Sequence, residues 1–355
     1  MKNLLRPLVA AVAALLTASL CSCSDTAGTP QAPPMASSLQ QALSWIPAQV
    51  PEFQFVDMAA AKKRWGLSQT NGTTPVNSAA WREYSKKLQA ANLGSSLDIY
   101  DGAMADWGWT GADVDWEAMW TSKSGDANPP VTVDKMRDGL DMQVVIKSLK
   151  GHKFTETGSG DALRFDRPMA DAGNMPIFLQ GVTVMSSKHI MITTYDKAFA
   201  IPATGSSLAT KADIGTLVGT LPAVDYLSVT TGTSACLHPE DIRPMTPSQV
   251  AAISKEMNLG ILKPITASAV AITDDTHATV RTRYADAKTA AADLSARKAL
   301  LAGKSLVNQQ PYQQLFGTAI SVTGKTMTYQ LTVKGTVMVV GRMIQSRDTP
   351  WAYCA

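Results

Sequence analysis

Four of the eight tryptophans of this 355-residue chain, Trp107, Trp109, Trp116 and Trp120, crowd together with Asp106, Asp113, Asp115 and Glu117 among them. Indoles beside carboxylates can bind sugars, the ring stacking under the pyranose while the acid accepts its hydroxyls. Paired carboxylates can also act as acid and base on a glycosidic bond, which makes Asp115 and Glu117 the candidate pair. Trp107, Trp109, Asp113, Asp115, Trp116 and Glu117 are therefore the candidate ligand-binding residues. A plainer reading leads: Trp107, Trp116 and Trp120 fill a core, Asp113 caps a short helix through Trp120, and Trp116 and Trp120 form one i, i+4 stripe. In a strand, Asp113, Asp115 and Glu117 would instead share a face and offer hard oxygens to calcium or magnesium. The glycine and terminal glutamate of an EF-hand loop are missing, so no metal is expected.

Other chemistry is thin. The four histidines, His152, His189, His238 and His277, fall singly on expected strands or turns. There is no Gly-x-Ser-x-Gly elbow, no phosphate-binding loop, no dinucleotide fingerprint and no His-Glu-x-x-His, so no cofactor is expected. Asp293 and Arg297 stand at i, i+4 in an Ala-rich helix and read as a solvent-facing ion pair worth a few tenths of a kcal/mol.

The elements that must position these groups alternate between helices and hairpins. Phe53–Val56 reads as a strand and Met58–Trp65 and Ser78–Leu88 as helices. Asp134 is expected to cap a helix to Lys150, with Met136, Leu140, Val144, Val145 and Leu149 on one face. Hairpins are expected for 152–155 with 162–165, and strands near 177–185 and 189–194. A helix over 207–221 and a strand over 223–229 follow. Thr246-Pro247 opens another helix. Asp274-Asp275 joins strands over 267–273 and 276–284, and Asp286–Leu301 is the clearest helix. Strands over 318–322, 326–333 and 336–344 complete the chain. The fold class is α+β: antiparallel sheets covered by helices, arranged as two layered domains, 43–225 and 226–355. The order of elements hints at a duplication, without a residue-level repeat behind it.

The N-terminus says where the body works. Lys2 and Arg6 precede an apolar stretch from Leu8 to about Leu20, the layout of a secretory signal over residues 1–22. That stretch is short of the roughly 20 residues of a spanning helix, and Ala18-Ser19-Leu20 is a poor site for plain signal cleavage. Residues 23–42 form a Pro/Ser/Thr-rich tether with too few large apolar groups to fold alone. The formal net charge is +3 and Lys2 and Arg6 are the charges of the signal, so the body is near neutral and nucleic acid is not an expected partner. With Cys21 discarded and Cys23 modified, Cys236 and Cys354 remain, an even pair that favours a disulfide in an exported protein.

Leu20-Cys21-Ser22-Cys23, with Ser at −1 and Leu at −3 of Cys23, resembles the lipobox of bacterial lipoproteins. With the tether and the Ala-rich body, the chain resembles exported lipoproteins of actinobacterial type. The resemblance implies cleavage before Cys23, diacylglycerol on its thiol, and a body held on the outer face of the cell membrane. It implies no activity. The expected function is non-catalytic binding of a ligand or partner at the envelope, a glycan, a lipid or a protein. The alternative is an envelope glycan hydrolase using Asp115 and Glu117. A large apolar cavity between sheet and helices would favour a lipid carrier.

Overall fold

The computed structural model describes residues 37–91, 93–98, 104, 106–121, 130–168, 179, 181–194, 201–202, 205–219, 221 and 223–355. The expected signal, Cys23 and the expected tether up to residue 36 lie outside the described residues. The remaining tether residues are helical: α1 covers Ser37–Trp45 and buries Leu39, Ala42 and Leu43. This helix runs across the expected boundary at residue 42, with the three apolar side chains on one face.

The strands are β1 (Glu52–Asp57), β2 (Val114–Trp120), β3 (Val131–Met136), β4 (Thr155–Thr157), β5 (Ala162–Asp166), β6 (Gly181–Met185), β7 (Ile190–Thr193), β8 (Tyr226–Thr231), β9 (Ala267–Ile272), β10 (His277–Arg283), β11 (Phe316–Thr323) and β12 (Thr326–Val333). The helices after α1 are α2 (Met58–Arg64), α3 (Ala79–Ala91), α4 (Met142–Gly151), α5 (Ala212–Val218), α6 (Pro239–Ile242), α7 (Pro247–Glu256), α8 (Ala287–Leu301), α9 (Tyr312–Leu315) and α10 (Met338–Gln345). The fold is α+β, with one 12-stranded sheet in the order β11-β12-β10-β9-β8-β1-β2-β3-β7-β6-β5-β4. Neighbours in that order are antiparallel, including β1 with β8 and β8 with β9. The expected boundary at 225/226 thus falls at the start of β8, and the sheet runs through it without a break.

Local chemistry explains most elements. Asp57, Asp141, Thr246 and Asp286 each accept a backbone N–H at a helix start. Three expectations change. Asp134 does not cap a helix: it lies in β3, and the helix begins after Asp141. The stretch from Val114 to Trp120 is a strand, for which the i, i+4 spacing of Trp116 and Trp120 serves as well, four being a multiple of the strand period of two. Residues 338–345 are helical, with Val337, Val340 and Met343 buried at every third position.

The two sheet faces are covered differently. On one, α1 and α5 press on Phe53, Phe55, Trp116, Trp120, Leu227 and Val229 in a continuous apolar layer. On the other, one end is packed by α8, α9 and α10 against β9, β10 and β12. The opposite end is packed by α4, Trp107 and Trp109 against β6 and β7. Between these two cores, α3 and the segment Leu93–Asp98 stand over β8, β1 and β2.

The C-terminus is pinned twice. A disulfide joins Cys236 to Cys354, 118 positions apart, and Arg297 donates to the Tyr353 carbonyl (2.6 Å) and, from Nε, to Asp293 (2.7 Å). The Asp293–Arg297 pair is fully buried rather than solvent-facing, because the tail folds over α8 and supplies the carbonyls that Arg297 needs. Among the described residues no helix is long and apolar enough to cross a membrane.

Candidate functional site

The sequence candidates separate once folded. Trp109 and Trp116 are buried, and buried Trp107 stacks on His152 at 4.2 Å between ring centres. Trp107 and Trp109 belong to the core beneath α4, and Trp116 to the apolar layer beneath α1. The core reading of the tryptophans holds, and no indole of this group presents a stacking surface. Asp113 is a structural cap. Its carboxylate accepts the Thr110 N–H (3.0 Å), the Gly72 N–H (3.1 Å) and Arg137 Nε (2.6 Å). Asp115 sits at an irregularity in the β2–β3 pairing, half-buried. Burial raises its carboxyl, opposed by the charges of Lys62 and Lys135.

Glu117 differs. It follows Trp116, so it points to the other sheet face, where it is buried and borders a cavity of about 590 Å³. Gln54 and Met119 share the floor with it, Trp81, Ser85 and Leu88 of α3 form one wall, and Gln345 of α10 stands at the far side. The volume is in the range that holds a small organic molecule. The remaining wall is the segment Leu93–Asp98, and buried acids tie it down. Glu117 Oε2 accepts both the Ser96 N–H (2.6 Å) and the Ser96 hydroxyl (2.7 Å). Asp98 accepts the Tyr84 hydroxyl (2.9 Å) on one oxygen and the Ser95 N–H (2.7 Å) on the other. Gly111 lets this segment approach: a Cβ there would lie 2.6 Å from the Asp98 amide nitrogen.

Directly across the strand pair from Glu117 is Asp134, on the same face and with no exposed surface. Neither Asp134 oxygen meets an N–H or O–H donor among the described residues. The carboxyl across from it is that of Glu117, and two carboxyls can bond only through a proton. Burial, first, and the neighbouring Glu117 hold Asp134 well above the usual carboxylate range. Burial raises Glu117 as well, and the Ser96 donors oppose it. Burial and the neighbouring carboxyl thus favour a proton on the Asp134 side of the pair. Asp98 is raised by burial, against the pull of Tyr84 and Ser95.

Asp98, Asp134 and Gln54 were not among the sequence candidates. A signal existed for Asp134: in Val131-Thr132-Val133-Asp134-Lys135-Met136 the alternation of a strand places the acid and Met136 on one face. Among the described residues no group of three or more His, Cys, Asp or Glu is placed to hold a metal ion. His277 meets Asp274 at the surface, and His238 begins α6.

No family model matches the chain, and no curated protein matches it. Among solved structures it is similar to crystal form I of TP0453, at 10% identity and a TM-score of 0.40, covering 87% of this chain and 98% of that one.

Proposed function

We propose that this chain is a lipid-anchored protein of the outer face of the cell membrane. It binds a small ligand, without catalysis, in the cavity against Glu117. The cavity is the observation that carries the reading: it lies where the sheet face is left open between two packed cores. Glu117 and Asp98, the carboxyls that border it, are engaged by Ser96, Tyr84 and Ser95. These contacts hold the wall and fix both carboxyls in place. Of the pair proposed for glycan hydrolysis, Glu117 borders the cavity and Asp115 does not, so the binding reading is preferred. The Cys236–Cys354 bond supports an oxidising compartment. The lipobox at Cys23 supplies the anchor, each buried methylene of its acyl chains contributing roughly 0.8 kcal/mol.

Two measurements test this. Membrane fractionation of cells making the wild type and Cys23→Ala should move the protein from the membrane to a soluble extracytoplasmic fraction; an unchanged distribution contradicts the anchor. Native mass spectrometry of the chain isolated from its own envelope should show a bound small molecule that Ser85→Trp, which fills the cavity, removes. Retention of that molecule by Ser85→Trp contradicts the cavity as its seat.

A further inference from the structure

The charges around the cavity narrow what it can hold. Asp98 and Glu117 line it, and no lysine, arginine or histidine does so among the described residues. Asp98 has donors on both oxygens and feels the buried ammonium of Lys62. The Lys62 ammonium is itself committed to the carbonyls of Ala112 and Val114. Glu117 has donors from Ser96 but no cation, and the nearby charge on Asp98 repels its own. An ionised carboxylate in that setting lacks a counter-charge, and a buried charge without one is destabilising. Beyond the acids the lining turns apolar and aromatic through Trp81, Leu88, Met119, Tyr226 and Ile272.

We propose that the cavity binds a small amphiphilic primary amine whose ammonium donates to the Glu117 carboxylate while its apolar body lies along Trp81 and Ile272. This rests on the cavity being the ligand seat. Asp134, fully buried on the same face with neither oxygen meeting a donor, is the second observation behind it: with the proton on Asp134, Glu117 is the anion of the pair, and it is Glu117 that borders the cavity. When an amine arrives at pH values where Glu117 is still protonated, the Glu117 proton leaves to water and the ammonium replaces its charge. Where Glu117 is already ionised, no proton moves. The titratable groups facing Glu117 are Asp98 on the loop, Asp134 on β3 and Tyr226 on β8. Lys62 on α2 acts through Asp98, and α3 and α10 present only uncharged side chains to the cavity.

The test is calorimetric titration of the full chain carrying Cys23→Ala with three probes of equal tail: octylammonium, octyl glucoside and octanoate. Octylammonium is expected to bind best. Its affinity should rise by up to about tenfold per pH unit while Glu117 titrates, then level off. Glu117→Gln should weaken octylammonium by about tenfold or more and leave octyl glucoside nearly unchanged. Asp134→Asn, which still donates to Glu117, should retain binding. Octanoate binding as tightly as octylammonium, or a Glu117→Gln variant that binds octylammonium undiminished, overturns the proposal. If Glu117→Gln fails to fold, the ranking of the three probes on the Cys23→Ala chain and its pH dependence decide alone. Binding of octyl glucoside without octylammonium overturns the amine and leaves the cavity reading standing; binding of none of the three overturns both. Phosphatidylethanolamine vesicles separate the two sources of such an amine. Uptake onto them alongside octylammonium binding points to a lipid headgroup, no uptake to a free amine; uptake without octylammonium binding overturns the proposal.

Discussion

Trp116 and Glu117 are neighbours in the chain and point to opposite faces of one strand, and the two faces are stabilised by different physics. Beneath Trp116 the layer is apolar, with Phe55 6.4 Å away between ring centres and α1 pressed over both. Its stability comes from area removed from water and from close packing. Beneath Glu117 the strands carry Gln54, Thr132 and Asp134, and the covering helix stands off to leave a cavity. A third setting completes the contrast. Asp293 is as deeply buried as Asp134, yet it has Arg297 and the Tyr284 hydroxyl as partners. Burial of an acid is therefore not one situation here. Where a cation is supplied the acid fastens the fold; where none is supplied burial pushes its carboxyl up.

The sharpest break in this contrast comes from the partnered acid. Arg297→Met leaves Asp293 buried without its cation and should destabilise the protein by about 3–5 kcal/mol in denaturant unfolding. Trp116→Ala empties the apolar face and should take away a similar amount, about 3–5 kcal/mol. Ser96→Ala removes a hydroxyl from the Glu117 carboxylate and should lower stability by about 1.5–3 kcal/mol, with faster amide exchange over Leu93–Asp98. Asp134→Asn goes the other way. It replaces a proton-demanding acid with an amide that donates to Glu117 directly, and stability at neutral pH should rise by about 1 kcal/mol.

The pH dependence has a defined sign. In the unfolded chain these acids ionise near their ordinary values of about 4. In the native state Asp134, Glu117 and Asp98 are raised, and Asp225 is pushed up to about 6 by burial against the pull of Arg64. The native state thus holds more protons above about pH 4, and stability should fall as pH rises through the native titrations. Asp134→Asn should make that fall shallower. Asp115→Asn, at a half-buried position, should change it least.

Much of the frame was legible in the residues. The helix starts at Thr246-Pro247 and Asp286 and the hairpin at Asp274-Asp275 could be read because their signals are local, and the Cys236–Cys354 pair because few cysteines were left to choose from. The single sheet could not: β1 lies between β2 and β8, and nothing near residue 52 names Tyr226–Thr231 as a neighbour. The site was half legible. Glu117 stood out for its acidic surroundings, but its partner Asp134 lay in another strand whose first residues also fit a helix start. The tryptophans drew notice as rare residues, and their spacing suits a buried strand as well as a helix. Arg297 was misread for a related reason: the carbonyls that bury it come from the far C-terminus.

A proton shared between the two buried acids on the open face can be detected directly. Isotope-edited infrared spectroscopy at neutral pH should show a protonated carboxyl C=O band in the wild type that Asp134→Asn removes and Asp115→Asn leaves in place. A spectrum in which every side-chain carboxyl is ionised, or a protonated band that survives Asp134→Asn, would contradict the account.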